Sequence, residues 1–314
     1  MSGKMDAVEK FWGCADYLEI LLTMLDPLSI KRLTQSGVVD KKILKKSLSS
    51  KIWAGLIKRS SYGGGGVLVL DDVKDLVAIL KFLKLEDPGI FLLSLLNHIC
   101  ERFPAEEGVS LNRPGHAEPC KVSLQGFLLL EEAESSFGTS IQSIERIVLG
   151  YGILDEPQLS ALSSRMMRQE NPAASIGIGG VRLSEGLQSA QAFSILLWEA
   201  NRAYVWWLEV SEAIGEEGWR ILAKAITPGI LLGVISVTRD GLAQGKREDF
   251  KVLFDAGCLF RIFKTLEDLQ EDNWQQASLI FDQEENNWSQ VERVLDMSEQ
   301  EFGEEKERRR NGGV

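Results

Sequence analysis

The sequence predicts a mixed fold, α+β or α/β, with a three-helix N-terminal module, linking helices and a C-terminal α/β domain. Three observations carry this. Apolar residues recur at helical spacing up to residue 103. A stretch rich in proline and glycine, 104–123, then interrupts the pattern. Beyond it, short β-branched and apolar runs alternate with helical stretches, the rhythm of a layered α/β domain.

The N-terminal module takes residues 10–62. Leu18, Leu21, Leu22 and Leu25 make one apolar face, Leu28, Ile30 and Leu33 a second, and Ile43, Leu44, Leu48, Ile52, Trp53, Leu56 and Ile57 a third. Asp26-Pro27 separates the first two helices, because proline disfavours helix at the residue before it and suits a first helical turn. Residues 61–66 contain four consecutive glycines, whose backbone entropy marks a flexible boundary. A helical linker region, 67–103, follows, with Val73, Leu76, Val77, Leu80 and Leu83, then Ile90, Leu92, Leu93, Leu95, Leu96 and Ile99. Residues 104–123 read as a long surface loop. In the α/β domain, 124–304, strands are predicted within 147–149, 176–183, 193–198 and 230–237, and helices at 158–167, 202–214 and 219–225. Residues 288–310 read as a helix that runs into a charged tail, 305–314.

Composition narrows the function. Asp and Glu total 46 against 35 Lys and Arg, a net charge of -11, so nucleic acid is not an expected partner. The Lys41, Lys42, Lys45 and Lys46 group sits at helical spacing and reads as a solvated face. The longest apolar runs, about ten residues, are too short for a bilayer span, and the opening residues lack an apolar leader, so no membrane partner is expected. Cys14, Cys100, Cys120 and Cys258 are dispersed and the histidines are His98 and His116, which predicts neither a metal site nor a disulfide framework and points to a reducing compartment.

The segment Leu18-Glu19-Ile20-Leu21-Leu22-Thr23-Met24-Leu25-Asp26-Pro27-Leu28-Ser29-Ile30-Lys31-Arg32-Leu33, followed by Ile52-Trp53-Ala54-Gly55-Leu56-Ile57-Lys58-Arg59, resembles an F-box. That resemblance implies a helical module docking on a Skp1-type adaptor within a cullin ubiquitin ligase, through Leu18, Ile20, Leu21, Leu22, Leu25, Pro27, Leu28, Ile30, Leu33, Trp53 and Leu56. It implies a substrate receptor of the cytoplasm or nucleus acting in ubiquitin-dependent degradation. The C-terminal half, through Arg146 to Leu154, Ile176 to Val181 and Gly229 to Ser236, is similar to the substrate-binding domain of the F-box only protein four family, a degenerate small-GTPase-like fold without a nucleotide site.

Catalytic chemistry is not expected. The turn beginning Gly150-Tyr151-Gly152 has no Lys or Ser/Thr to hold phosphate and adds Asp155 and Glu156; Gly177-Ile178-Gly179-Gly180 has Arg182 where a dinucleotide fingerprint needs its third glycine. His98 and Cys100 lie two apart on a helix and point in different directions. Asp155, Glu156, Glu267, Asp268, Glu271 and Asp272 read as solvated carboxylates, and no cofactor is called for. Six tryptophans fall in the second half, and the adjacent Trp206 and Trp207, where one ring must be partly exposed, are the candidate substrate contacts. An open sheet edge that pairs with a substrate strand is a further expectation. A scaffold with no link to ubiquitin and a divergent nucleotide-binding hydrolase stay open as alternatives.

Overall fold

Asp26 decides where the first two helices part. In the computed structural model, which describes residues 15–37, 50–60, 68–83, 88–113, 115–263, 269, 279–281, 296–298, 301, 304 and 308, α1 (Ala15–Met24) stops just before it and α2 (Pro27–Ser36) starts just after. The Asp26 carboxylate accepts from the Ser29 backbone N–H at 2.9 Å and its hydroxyl at 2.6 Å, capping N–H groups that an α-helix leaves orphaned. Gly37, in the left-handed region at φ 71°, closes α2. The chain folds as two compact units, Met1–Ser143 and Ile144–Val314.

In the first unit α3 (Ser50–Ser60), α4 (Leu70–Leu83) and α5 (Gly89–Arg102) complete a helical body, with α1 packed on α3, α2 on α4 and α3 on α5. Its core is the set the periodicity singles out: Leu18, Leu22, Ile30, Trp53, Leu56, Leu76, Leu80, Leu92 and Leu96 are all buried, and Trp53 meets Phe91 edge-on at 5.1 Å. The helices on either side of the glycine run thus share one core; the run itself, and the predicted helix at 288–310 apart from a few positions, lie outside the described residues.

The expected loop at 104–123 is instead a strand pair. β1 (Pro104–Asn112) runs antiparallel to β2 (Cys120–Val122), with Val109 opposite Val122 and Leu111 opposite Cys120. The prolines mislead because they fall where a strand tolerates them: Pro104 at the first position, Pro119 just before β2. The expectation of no disulfide is also corrected. Cys100 on α5 is bonded to Cys120 on β2, their α-carbons 6.0 Å apart, because the turn after α5 brings β2 back against that helix. α6 (Leu124–Phe137), capped by Ser123, packs on α4 and α5.

The second unit runs β3 (Ser143–Leu154), α7 (Glu156–Arg168), β4 (Ser175–Leu183), α8 (Leu187–Trp198), β5 (Ala203–Val210), α9 (Gly215–Ala225), β6 (Ile230–Thr238), α10 (Arg239–Ala243), α11 (Arg247–Asp255), β7 (Leu259–Phe263) and β8 (Leu279–Phe281). β3 to β7 are parallel and neighbour one another in chain order, and β8 pairs antiparallel with β7. Two elements exchange identity relative to the sequence reading. The run 193–198 belongs to helix α8, whose Leu, Gln and Ala residues favour helix; 203–210, predicted helical, is strand β5, whose Tyr, Val and Trp residues favour the pleat.

The strand order also departs from a small-GTPase-like fold. A doubly wound nucleotide fold reverses its strand order so that helices cover both faces. Here the order never reverses from β3 to β7, so right-handed crossovers set the helices on one face, and α7 packs on α8, α8 on α9 and α9 on α11. Leu154, Val181, Leu208 and Ile235 are successive cross-strand partners at a repeat of roughly 27 residues, as in a strand–helix solenoid. Each of three repeats buries the same apolar pattern: Ile178, Val181 and Leu183; Val205, Leu208 and Val210; Leu232, Ile235 and Val237.

Within that pattern the ladder skips Gly179, Trp206 and Gly233, one residue per strand at one level. Neighbouring backbones close in there. A Cβ on Gly179 would stand 2.3 Å from the Gly150 carbonyl oxygen, and one on Gly233 2.5 Å from that of Trp206, so only glycine fits at those two positions.

Candidate interaction surfaces

The docking residues expected on α1–α3 divide by burial. Leu18, Leu22, Ile30, Trp53 and Leu56 are in the core and hold the helices together; Leu21, Leu25 and Leu33 are half-buried. Ile20 and Leu28 are exposed, and Met24, which sequence reasoning passed over, is the most open of the large apolar side chains among the described residues at 74%. Ile20 and Met24, four apart, share one face of α1, a spacing that could have revealed them; Leu28 is exposed separately, in the first turn of α2. Pro27 opens α2, and its side chain is not among those described.

The α1–α2 corner is held from α3. Arg59 Nε donates to the Leu25 carbonyl at 3.0 Å and Nη2 to that of Leu22 at 2.9 Å, satisfying oxygens at the end of α1. The bonds from Ser29 hold the Asp26 carboxyl below the usual carboxylate range, so it is anionic beside that guanidinium at neutral pH. Lys31 pairs with Asp75, joining α2 to α4.

The second surface is the sheet in the β4–β6 region. Trp206 is 56% exposed and Tyr204 and Leu231 are likewise open; the Tyr204 and Trp206 ring centroids are 6.4 Å apart. Trp207 is half-buried, its Nε1–H donating to Ser236 Oγ at 2.7 Å. The tryptophan pair thus divides into an exposed ring and an anchored one, on a strand and not on the helix predicted. A polar row, Arg182, Glu209, Ser236 and Arg261, runs across β4 to β7 as direct cross-strand partners. Arg182 grips the Glu209 carboxylate with Nε–Oε1 2.8 Å and Nη2–Oε2 3.3 Å, and its Nη1 is 3.6 Å from Asp155. The hydrogen bond that Arg182 donates to Glu209 raises the Arg182 value further, so the guanidinium stays charged. The Arg261 guanidinium lies 5.1 Å over the Phe263 ring. This row carries no periodic apolar signal, and only the register of the sheet brings it together.

Several groups read for catalytic chemistry have structural surroundings, while Glu267, Asp268, Glu271 and Asp272 lie outside the described residues. Cys100 is in the disulfide. Burial lowers His98 from its ordinary value, with Arg102 and Lys58 acting in the same direction. Burial pushes the Cys258 thiol up to about 12, which leaves it protonated and unreactive. Asp155 caps α7 together with Gln158, and Glu156 accepts from Ser189 Oγ at 2.6 Å. Among the described residues no three His, Cys, Asp or Glu side chains gather to hold a metal ion, and no helix is long and apolar enough to cross a membrane. The comparisons with protein-family models, curated proteins and solved structures gave no match.

Proposed function

We propose that the chain is an F-box-type substrate-recognition subunit of a Skp1–cullin ubiquitin ligase. It docks on the Skp1-type adaptor through α1–α3 and holds a protein substrate on its strand–helix unit. The observation that carries this reading is the exposure of Ile20 and Met24 on one face of α1 and of Leu28 in the first turn of α2, on either side of a corner capped by Asp26 and Arg59. Large apolar side chains left open on two neighbouring helices are suited to a partner's hydrophobic groove. The receptor needs no active site of its own, since the ligase supplies the chemistry. It works in the cytoplasm or nucleus, where reduction opposes the Cys100–Cys120 bond. The test is size-exclusion chromatography of the full chain mixed with a purified Skp1-type subunit and the N-terminal half of a cullin. The proposal expects one ternary peak, and separate elution of the chain would rule it out.

A further inference from the structure

We infer that the open sheet face around Trp206 takes an acidic, apolar protein segment whose carboxylates meet Arg146 and Arg202; this rests on the receptor reading and specifies its substrate. The register puts both arginines on that face. Arg146 is the cross-strand partner of Ser175, and the Arg202 carbonyl accepts from the Ile176 N–H at 2.8 Å, so Arg146, Ser175 and Arg202 form one row near the N-terminal ends of the strands. Two residues further along comes an apolar row of direct partners, Val148, Gly177, Tyr204 and Leu231. Side chains two apart on a strand share a face. Accordingly Arg202, Tyr204 and Trp206 are exposed in alternation with the buried Ala203 and Val205.

The charge on the face selects the occupant. Arg146 and Arg202 are exposed, and neither is in an ion pair among the described residues. At the other end of the face Arg182 is neutralised by Glu209 and Asp155, and Glu209 and Arg261 are themselves buried. Arg146 and Arg202, two strands apart, have α-carbons roughly 10 Å from each other, and Arg202 and Trp206, four residues apart along β5, roughly 13 Å. An extended segment along β5 therefore sets a carboxylate on Arg202 and, two and four positions on, apolar side chains over Tyr204 and Trp206. A second carboxylate at the same end is within reach of Arg146. The aromatic ridge supplies most of the contact area, and the arginines choose the sign of the partner.

The experiment is fluorescence anisotropy of the full chain with two labelled ten-residue probes in low and high salt. One carries a pair of glutamates followed, two and four positions on, by leucines; the other has lysines in place of the glutamates. With a net charge of -11 the chain as a whole attracts the Lys probe, so preference for the Glu probe reports the local arginines. Tighter binding of the Glu probe, weakened by salt, is expected. Trp206→Ala is expected to weaken it at least about tenfold, and the pair Arg146→Gln, Arg202→Gln about three- to tenfold with a flatter salt dependence. Circular dichroism of each variant checks that folding is intact; these are exposed positions. Equal or tighter binding of the Lys probe, no binding of either, or a Glu-probe affinity unchanged in both variants overturns the inference. So does a dimer in size-exclusion chromatography that Trp206→Ala dissolves, which gives the face to a second copy of the chain. Binding to a Skp1-type subunit, measured on the same preparation, is separate: if it persists while the Glu probe fails, the receptor reading stands and this one falls.

Discussion

Replacing Arg182 by Met isolates the energetics of the polar row. The Glu209 side chain is 1% exposed and its carboxylate is gripped at 2.8 and 3.3 Å, so deleting the guanidinium strands a charge inside the sheet. A fully buried pair broken in this way costs about 3–5 kcal/mol. The Arg182 side chain is itself 35% exposed, so water reaches the site and screens part of that cost, leaving about 2–3 kcal/mol. For a unit of this size that is a fall in Tm of about 5–10 °C. The double variant Arg182→Met, Glu209→Leu removes the charge as well as its partner and is expected to lose only about 1 kcal/mol. Urea unfolding followed by circular dichroism measures both, with unchanged slope expected. The reasoning fails if the single variant unfolds at the wild-type midpoint, or if the double variant is less stable than the single one.

Three further outcomes follow from the first unit. Arg59→Met removes two donors from the end of α1, so α1 amides are expected to exchange with solvent about tenfold faster while α9 amides are unaffected; protection of α1 that does not change would mean the cap is idle. The Cys100–Cys120 bond closes a separation of 20 residues and is expected to add about 3 kcal/mol, read as a lower urea midpoint after reduction, and coincident oxidised and reduced curves would refute it. The folded His98 value lies below its unfolded one of 6.5, so the unfolded chain binds the proton more readily. Its stability contribution is therefore complete above pH 6.5 and lost as pH falls below that. His98→Gln is expected to flatten the fall in stability between about pH 7 and 5, and an unchanged pH profile would count against burial of a neutral ring.

What the sequence displays best is local chemistry. The α1–α2 corner is legible because Asp26 and Pro27 each act within a turn of their own position. β4, β6, α7 and α9 are legible because their apolar spacing is regular. Misreadings occur where two periods compete. Residues 193–198 form a short apolar run that fits strand or helix equally, and around Trp206 the skipped level disturbs strict alternation, so β5 mimics a helix face. Strand order is not local, yet it had a signal: the repeat linking Val181, Leu208 and Ile235, with glycine at matching places in β4 and β6, marks a solenoid. On the helical side, apolar identity does not separate Leu22, which holds the core, from Ile20, which faces water. That needed the packing of α1 on α3. The Arg182–Glu209 pair needed the sheet register, since its members are 27 positions apart in the chain.

The most direct test of the receptor account is a calorimetric titration of the full chain with a purified Skp1-type subunit, beside the variant Ile20→Asp, Met24→Asp, Leu28→Asp. The three exchanges are at exposed positions and leave the buried Leu18, Leu22 and Trp53 in place. The account predicts saturable one-to-one binding by the unmodified chain, weakened at least about a hundredfold in the variant at unchanged Tm. No binding by the unmodified chain, or equal binding by both, would contradict it.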